Sequence, residues 1–284
     1  MTPLQNITFC DETFDSNSSS SYVLLLQFGE GSLGYCVFDT ARSKFIALSH
    51  RAIDNTLPTN VLYDIVKDFI ATEPVLTCTF KKSALLYIQH KYAIVPSVIF
   101  EKEKIKDYFA VSHMLEELDE LHHNHLPVPD AHVVFSCSQD IAELFRSKIP
   151  SLTFVHQALP FINITARTSV AASDYIALFV YADYVDIVIV KSNKLQLCNA
   201  FPWDNENDIL YAVLHCLEKC SLSLTVPCLL SGYITKESPA YVLLKTYIPT
   251  IVFGKPEAKY SFSYRLKSIP DQVFSNFYNS ISCV

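Results

Sequence analysis

Tyr22-Val23-Leu24-Leu25-Leu26-Gln27-Phe28, Leu33-Gly34-Tyr35-Cys36-Val37-Phe38-Asp39 and Lys44-Phe45-Ile46-Ala47-Leu48-Ser49-His50 are apolar, strand-like runs in close succession, with only short turn segments between them. A helical pattern follows at about residues 58–71, where Val61, Leu62, Ile65, Val66 and Phe69 fall on one face. The order returns in the second half of the chain. Tyr175 to Tyr181, Val185 to Lys191 and Lys194 to Ala200 are again strand-like, and residues 206–220 place Ile209, Leu210, Val213, Leu214 and Leu217 on a helix. The pattern β-β-β-α therefore occurs twice.

The repeat extends further. Val133-Val134-Phe135-Ser136 leads into a helical stretch ending at Lys148, and Cys228-Leu229-Leu230-Ser231 leads into one ending near Tyr247. Two similar hexapeptides follow, Ile149-Pro150-Ser151-Leu152-Thr153-Phe154 and Ile248-Pro249-Thr250-Ile251-Val252-Phe253. Two copies of β-β-β-α-β-α-β predict an α/β fold of tandem ribonuclease H-like domains. The expected layout is a loose N-terminal segment over residues 1–21, a first domain over 22–165 and a second over 166–284. Residues of about 75–130 read as an elaboration of the first copy, with the charged segments Glu101 to Lys106 and Glu116 to Glu120 as solvated faces.

Composition narrows the function. The 284 residues carry 22 Lys and Arg against 29 Asp and Glu, a net charge of −7. That sign argues against a nucleic-acid partner, whose affinity comes mainly from cations meeting phosphates. Apolar residues are 50% and charged residues 18%, enough to build a large core and to exclude disorder for most of the chain. The first basic residue is Arg42, so a signal peptide's basic start is missing. The apolar stretch Tyr175 to Val190 is interrupted by Asp183 and Asp186 and is too short for a membrane helix. The nine cysteines form no C-x-x-C pair, and Cys36, Cys78, Cys137, Cys198 and Cys228 lie in apolar, strand-like runs. They read as reduced core thiols of a cytoplasmic protein.

Several motifs suggest chemistry and fail on context. Gly29-x-Gly31-x-x-Gly34 with Asp54 beyond matches a dinucleotide fingerprint, but that fingerprint needs a helix to open at the glycines. Tyr35-Cys36-Val37-Phe38 follows instead, so the glycines read as a hairpin turn. No H-R-D or D-F-G occurs, which excludes a protein-kinase loop, and the absence of glycine from 35 to 231 excludes a P-loop or nucleophile elbow there. His122-His123-x-His125 reads as a polar loop bounded by Pro127 and Pro129. His215, Cys216 and Cys220 lack two further ligands at zinc-like spacing. Trp203 reads either as an exposed recognition aromatic or as a staple over the helix that follows. No arrangement of Ser, His and Asp supplies a nucleophile with its base and orienting group.

In a tandem ribonuclease H-like chain the two β-hairpin turns face each other across a cleft. The chain resembles the actin-like ATPase superfamily, and more closely an uncharacterised bacterial family known as domain of unknown function 3822. The residues that carry the resemblance are Tyr92-Ala93-Ile94-Val95-Pro96 with Phe100, Lys194 to Phe201, Asp208-Ile209-Leu210-Tyr211, and Leu230-Ser231-Gly232-Tyr233-Ile234. The resemblance implies phosphate turns of the form D-x-G, where a carboxylate positions magnesium and water. The first turn reads Gln27-Phe28-Gly29, followed by Gly31 and Ser32, with an amide in place of the carboxylate. The second reads Val180-Tyr181-Ala182-Asp183-Tyr184, without glycine, and the adenosine loop keeps only Gly232 of a glycine pair.

The resemblance therefore implies a degenerate nucleotide site at Gln27, Gly29, Gly31, Ser32, Tyr181, Asp183 and Gly232. No catalytic residue, metal or cofactor is expected. The expected function is a non-catalytic interaction or scaffold module with an unidentified protein partner. Homo-oligomerisation is compatible with it, and neither nucleic acid nor membrane insertion is expected. The alternative is a nucleotide-dependent ATPase or phosphotransferase.

Overall fold

The computed structural model describes residues 6–29, 31–54, 56–167 and 173–284. In chain order the first half contains β1 (Ile7–Cys10), β2 (Tyr22–Gly29), β3 (Ser32–Asp39), β4 (Lys44–Ala52), α1 (Thr59–Thr72), β5 (Lys82–Tyr87), β6 (Tyr92–Pro96), α2 (Ile105–Ala110), β7 (Asp119–Leu126), β8 (Ala131–Ser138), α3 (Gln139–Lys148), β9 (Thr153–His156) and α4 (Ala158–Arg167). The second contains β10 (Tyr175–Val180), β11 (Tyr184–Lys191), β12 (Lys194–Pro202), α5 (Glu206–Lys219), β13 (Cys228–Gly232), α6 (Pro239–Tyr247), β14 (Ile251–Phe253), β15 (Ser261–Phe262) and α7 (Ser275–Asn279).

Two sheets carry the repeat. The first contains the strand order β4-β3-β2-β5-β9 and the second is β12-β11-β10-β13-β14. Position by position the senses agree: the hairpin strands pair antiparallel and the crossover strands parallel. The two matched hexapeptides end at the same point of this lattice. Phe154 pairs across Leu85 to Leu26, and Phe253 pairs across Leu230 to Leu178. Both hexapeptides begin on the residue that closes a helix, with Ile149 N–H donating to Phe145 O and Ile248 N–H to Leu244 O.

The strand equivalent to β13 is β5, not the run Val133 to Ser136 as the sequence pattern suggested. That run lies in β8, which joins β6 and β7 in a separate antiparallel sheet. Both are apolar strands, and β8 is also the one that immediately precedes α3; periodicity does not say which sheet a strand joins. The elaboration expected at 75–130 therefore excludes β5 and includes β8. It is a small layer in which Val95, Phe109 and Val134 pack together. Two bonds of the Asn124 amide tie it to β9: Nδ2 donates to Phe154 O at 2.9 Å and Oδ1 accepts from His156 N–H at 2.8 Å.

Four other expectations change. Within the segment expected to be loose, Ile7–Cys10 pairs with β4 and Ser16–Ser21 forms a 3-10 turn capped by Asp15, while residues 1–5 lie outside the described residues. The C-terminal segment does not stay with the second unit, because β15 pairs parallel with β4. Cys78 follows a 3-10 turn and is half-buried rather than in a strand. His122, His123 and His125 lie on β7, where Glu120 of the acidic run is ion-paired with Arg146 and hydrogen-bonded to His122.

Burial explains why the central strands read as unbroken apolar runs. Along β10, Ile176, Leu178 and Val180 face α5 and α6, while Tyr175, Ala177 and Phe179 face the core shared with the first sheet. Each fully buried aliphatic side chain contributes about 1.5–3 kcal/mol of transfer free energy. α5 opens on a capping box in which Asn205 and Asp208 satisfy each other's backbone amides. The cysteines are free thiols, and burial pushes those of Cys216 and Cys228 up to about 11 and about 12. Among the described residues no helix is long and apolar enough to cross a membrane.

Candidate functional site

The two hairpin turns match residue for residue. In the first, Gly29 pairs with Ser32, and Gly31 lies in the turn between them. In the second, the last ladder pair is Val180 with Val185, and Tyr181 N–H then donates to Tyr184 O at 2.9 Å around Ala182 and Asp183. Gly29 thus corresponds to Tyr181, Gly31 to Asp183, and Ser32 to Tyr184. Gln27, where the resemblance implies a carboxylate, corresponds to Phe179. Gly29 is required where it stands: its φ is +119°, and an added Cβ would lie 2.0 Å from Ile88 O. In the second hairpin a buried tyrosine, Tyr181, occupies that position.

Side chains of the chain itself close the gap between the hairpins. β13 ends at Gly232, whose φ of +95° turns the chain so that Tyr233 points towards the first hairpin. The Tyr233 phenol lies beside the Ser32 and Gln27 side chains, whose polar groups draw it down while burial, the larger effect, pushes it up to about 12. Gln27 Nε2 donates to Ser32 Oγ, and Ser32 Oγ lies 3.2 Å from His50 Nδ1. Burial holds the His50 imidazole down at about 4, so it is neutral at pH 7. Its other nitrogen, Nε2, is enclosed without a partner.

Rings line the remainder of the gap. Tyr181 stacks on Tyr184 with centroids 4.5 Å apart and meets Tyr233 edge-on at 6.0 Å. Beneath them Gln157 Nε2 donates to Gln89 O at 2.5 Å and lies 3.3 Å from Tyr184 Oη and 3.4 Å from Asp186 Oδ2. Tyr92 Oη donates to Asp186 Oδ1 at 3.4 Å and contacts Cys198 Sγ at 3.2 Å, which joins the elaboration to the second sheet. His156 is fully buried in its neutral form, held down at about 3, with Nε2–H donating to Gln89 O and Nδ1 accepting from Ala158 N–H.

Phosphoryl transfer needs a carboxylate for magnesium, turn amides for the phosphates and a positioned water. At the first hairpin the corresponding places hold an amide, a serine and an incoming phenol. At the second they hold Phe179 and Tyr181. A surface pocket of about 250 Å³ remains beside Gly29, Gly31, Ser32 and Gln89, below the usual range of about 300–1,000 Å³ for small-molecule sites.

Of the residues singled out from sequence, Gln27, Gly29, Gly31 and Ser32 form one turn, and Tyr181 and Gly232 reach it through Tyr233. Asp183 stays apart at the exposed tip of the other hairpin, its backbone oxygen accepting from Trp203 N–H. Tyr233, His50, Gln157 and Asp186 were not singled out. The signal for Asp186 was legible, since a carboxylate inside an apolar strand is buried only with partners. Trp203 packs half-buried against the second core, which favours the staple over the recognition aromatic. Among the described residues no three His, Cys, Asp or Glu side chains gather in a metal-holding group.

The doubled sheet, the facing hairpins and the shared core define an actin-like ATPase fold. The chain belongs to the family described as protein of unknown function (DUF3822), whose model matches residues 11–251. Among solved structures it is similar to a Bacteroides thetaiotaomicron protein with actin-like ATPase fold and unknown function. That match has a TM-score of 0.80 and 16% identity over 96% of this chain and 100% of the other. It is also similar to a chain of the PilM–PilN type IV pilus biogenesis complex, with a TM-score of 0.54 and 12% identity over 90% of this chain and 96% of that one. No curated protein matches it by sequence. These likenesses establish the fold, and a fold alone does not assign an activity.

Proposed function

We propose that this chain is a non-catalytic member of its superfamily, an intracellular protein-interaction or scaffold module whose nucleotide cleft is closed by its own side chains. The observation that carries the reading is Tyr233, set edge-on against Tyr181 with its phenol beside Ser32 and Gln27 of the first hairpin. The stacked Tyr181 and Tyr184 support it from the second lobe, where a phosphate would need open backbone amides. A fold freed from hydrolysis keeps two lobes and broad surfaces, and the PilM–PilN complex gives an instance of a similar chain in a protein assembly.

Thermal melting with nucleotide tests this. A ligand bound only by the folded state at a hundredfold excess over Kd stabilises it by about 2.7 kcal/mol, enough to raise Tm by about 5 °C. Millimolar Mg-ATP, Mg-ADP and Mg-GTP are expected to leave Tm unchanged. A shift of several degrees would transfer the reading to the nucleotide-dependent phosphotransferase.

A further inference from the structure

A second cavity, of about 390 Å³, opens where the C-terminal segment folds back onto the first sheet, away from the hairpins. It exists because β15 pairs with β4, bringing Tyr260 and Phe262 beside Phe45. Its floor is Leu266 and the buried ring of Tyr278, and its walls include Tyr260 and Phe262. The rings are held at fixed angles: Phe262 meets Tyr278 at 70° with centroids 4.9 Å apart, and Phe262 stacks on Phe45 at 5.3 Å. The rim is exposed and holds Asp271, the one formally charged residue of the described lining. Asp271 is close enough to the Tyr278 phenol to add to the burial that holds it above its ordinary value.

We propose that this cavity is a binding socket for an organic cation, an alkylammonium or guanidinium group. Three aromatic rings and one carboxylate make a polarisable, negative enclosure. The negative face of a ring attracts a cation that has shed part of its water, and does so more strongly as the site excludes solvent. The structure contains an internal example of the same recognition. The Lys259 ammonium stands 5.0 Å from the centroid of Tyr260, with its charge offset by Glu257 at 2.6 Å. A neutral apolar ligand would make the same van der Waals contacts but gain nothing from Asp271 or the ring quadrupoles. An anion would meet the carboxylate. The volume lies within the ordinary range for small-molecule sites, whereas the hairpin pocket does not.

Ligand-observed NMR and calorimetry on the full chain test the proposal with three probes. These are choline, its neutral carbon isostere 3,3-dimethylbutan-1-ol, and Nα-acetylarginine amide as a model of a basic side chain. At least one cation is expected to bind saturably, about tenfold or more tighter than the neutral isostere. Preference for choline would indicate a free quaternary ammonium ligand, and preference for the arginine probe a side chain offered by another protein. Asp271→Asn, at an exposed position, is expected to weaken the cation several-fold while leaving Tm unchanged, and Tyr260→Leu to weaken it further. Equal binding of choline and the isostere would overturn the proposal, as would no binding of either cation at tens of millimolar. So would cation binding insensitive to both substitutions. None of these outcomes depends on whether the hairpin cleft takes nucleotide.

Discussion

Replacing Tyr233 by Phe removes one oxygen and tests whether the two lobes are locked together at the hairpin. In the native chain that oxygen lies beside the Ser32 and Gln27 side chains. A protein hydrogen bond contributes a net ~0.5–1.5 kcal/mol, and an orphaned buried partner costs more. Here neither partner is orphaned, because Gln27 still donates to Ser32 and Ser32 still meets His50. The lost polar contact therefore stays near the low end, and Tyr233→Phe is expected to cost about 0.5–1.5 kcal/mol, lowering Tm by about 1–5 °C. Ser32→Ala removes the same contact from the other side and also strips His50 Nδ1 of its partner. Because the groups touch, the two substitutions are not independent. A double-mutant cycle measured by urea unfolding is expected to return a coupling of about 0.5–1.5 kcal/mol. A coupling below about 0.3 kcal/mol, within the additivity of distant sites, would refute a Tyr233 plug in the first hairpin.

Two other expectations concern stability. Burial lowers His50 to about 4 and His156 to about 3 from an ordinary 6.5. Above pH 6.5 both states are neutral and the stability is fully present. As pH falls below 6.5 the unfolded chain binds protons that the folded chain refuses, so stability drops by up to about 1.4 kcal/mol per pH unit for each histidine until the folded values are reached. An unfolding free energy flat between pH 7 and 5 would contradict the neutral burial of both rings. Gly232→Ala would place a Cβ 2.2 Å from Val180 O at a φ of +95°. It is expected to cost more than about 2 kcal/mol through strain and displacement of β10, and a variant within about 0.5 kcal/mol of the parent by denaturant unfolding would show that the backbone turns there by other means.

The doubled β-β-β-α order was legible because β2, β3, β10 and β11 are apolar runs buried on both faces and each first helix has a single apolar stripe. The hexapeptides of Ile149 and Ile248 marked the point where both units close, and they occupy matching register positions. The assignment of β5 and β8 was not legible. An insertion between a strand and its helix leaves local periodicity intact, and only long-range pairing decides which strand lies next to β2. The histidines of β7 read as a loop because their polarity outweighed a ladder that depends on β8. In the candidate site, the missing carboxylate at Gln27 and the bulk of Tyr181 were visible from residue type alone. Tyr233 was not, since a tyrosine after Gly232 signals nothing until the positive φ of that glycine directs it across the gap.

Calorimetric titration of the unmodified chain with Mg-ATP, followed by a phosphate-release assay on the same sample, tests the closed cleft most directly. With Tyr233 set against the first hairpin and Tyr181 stacked on Tyr184 in the second, no saturable heat and no phosphate above the blank are expected. Gln27→Asp alone is expected to change neither result, because the second hairpin still lacks a glycine where Tyr181 stands. Saturable micromolar binding of Mg-ATP by the unmodified chain would contradict the account.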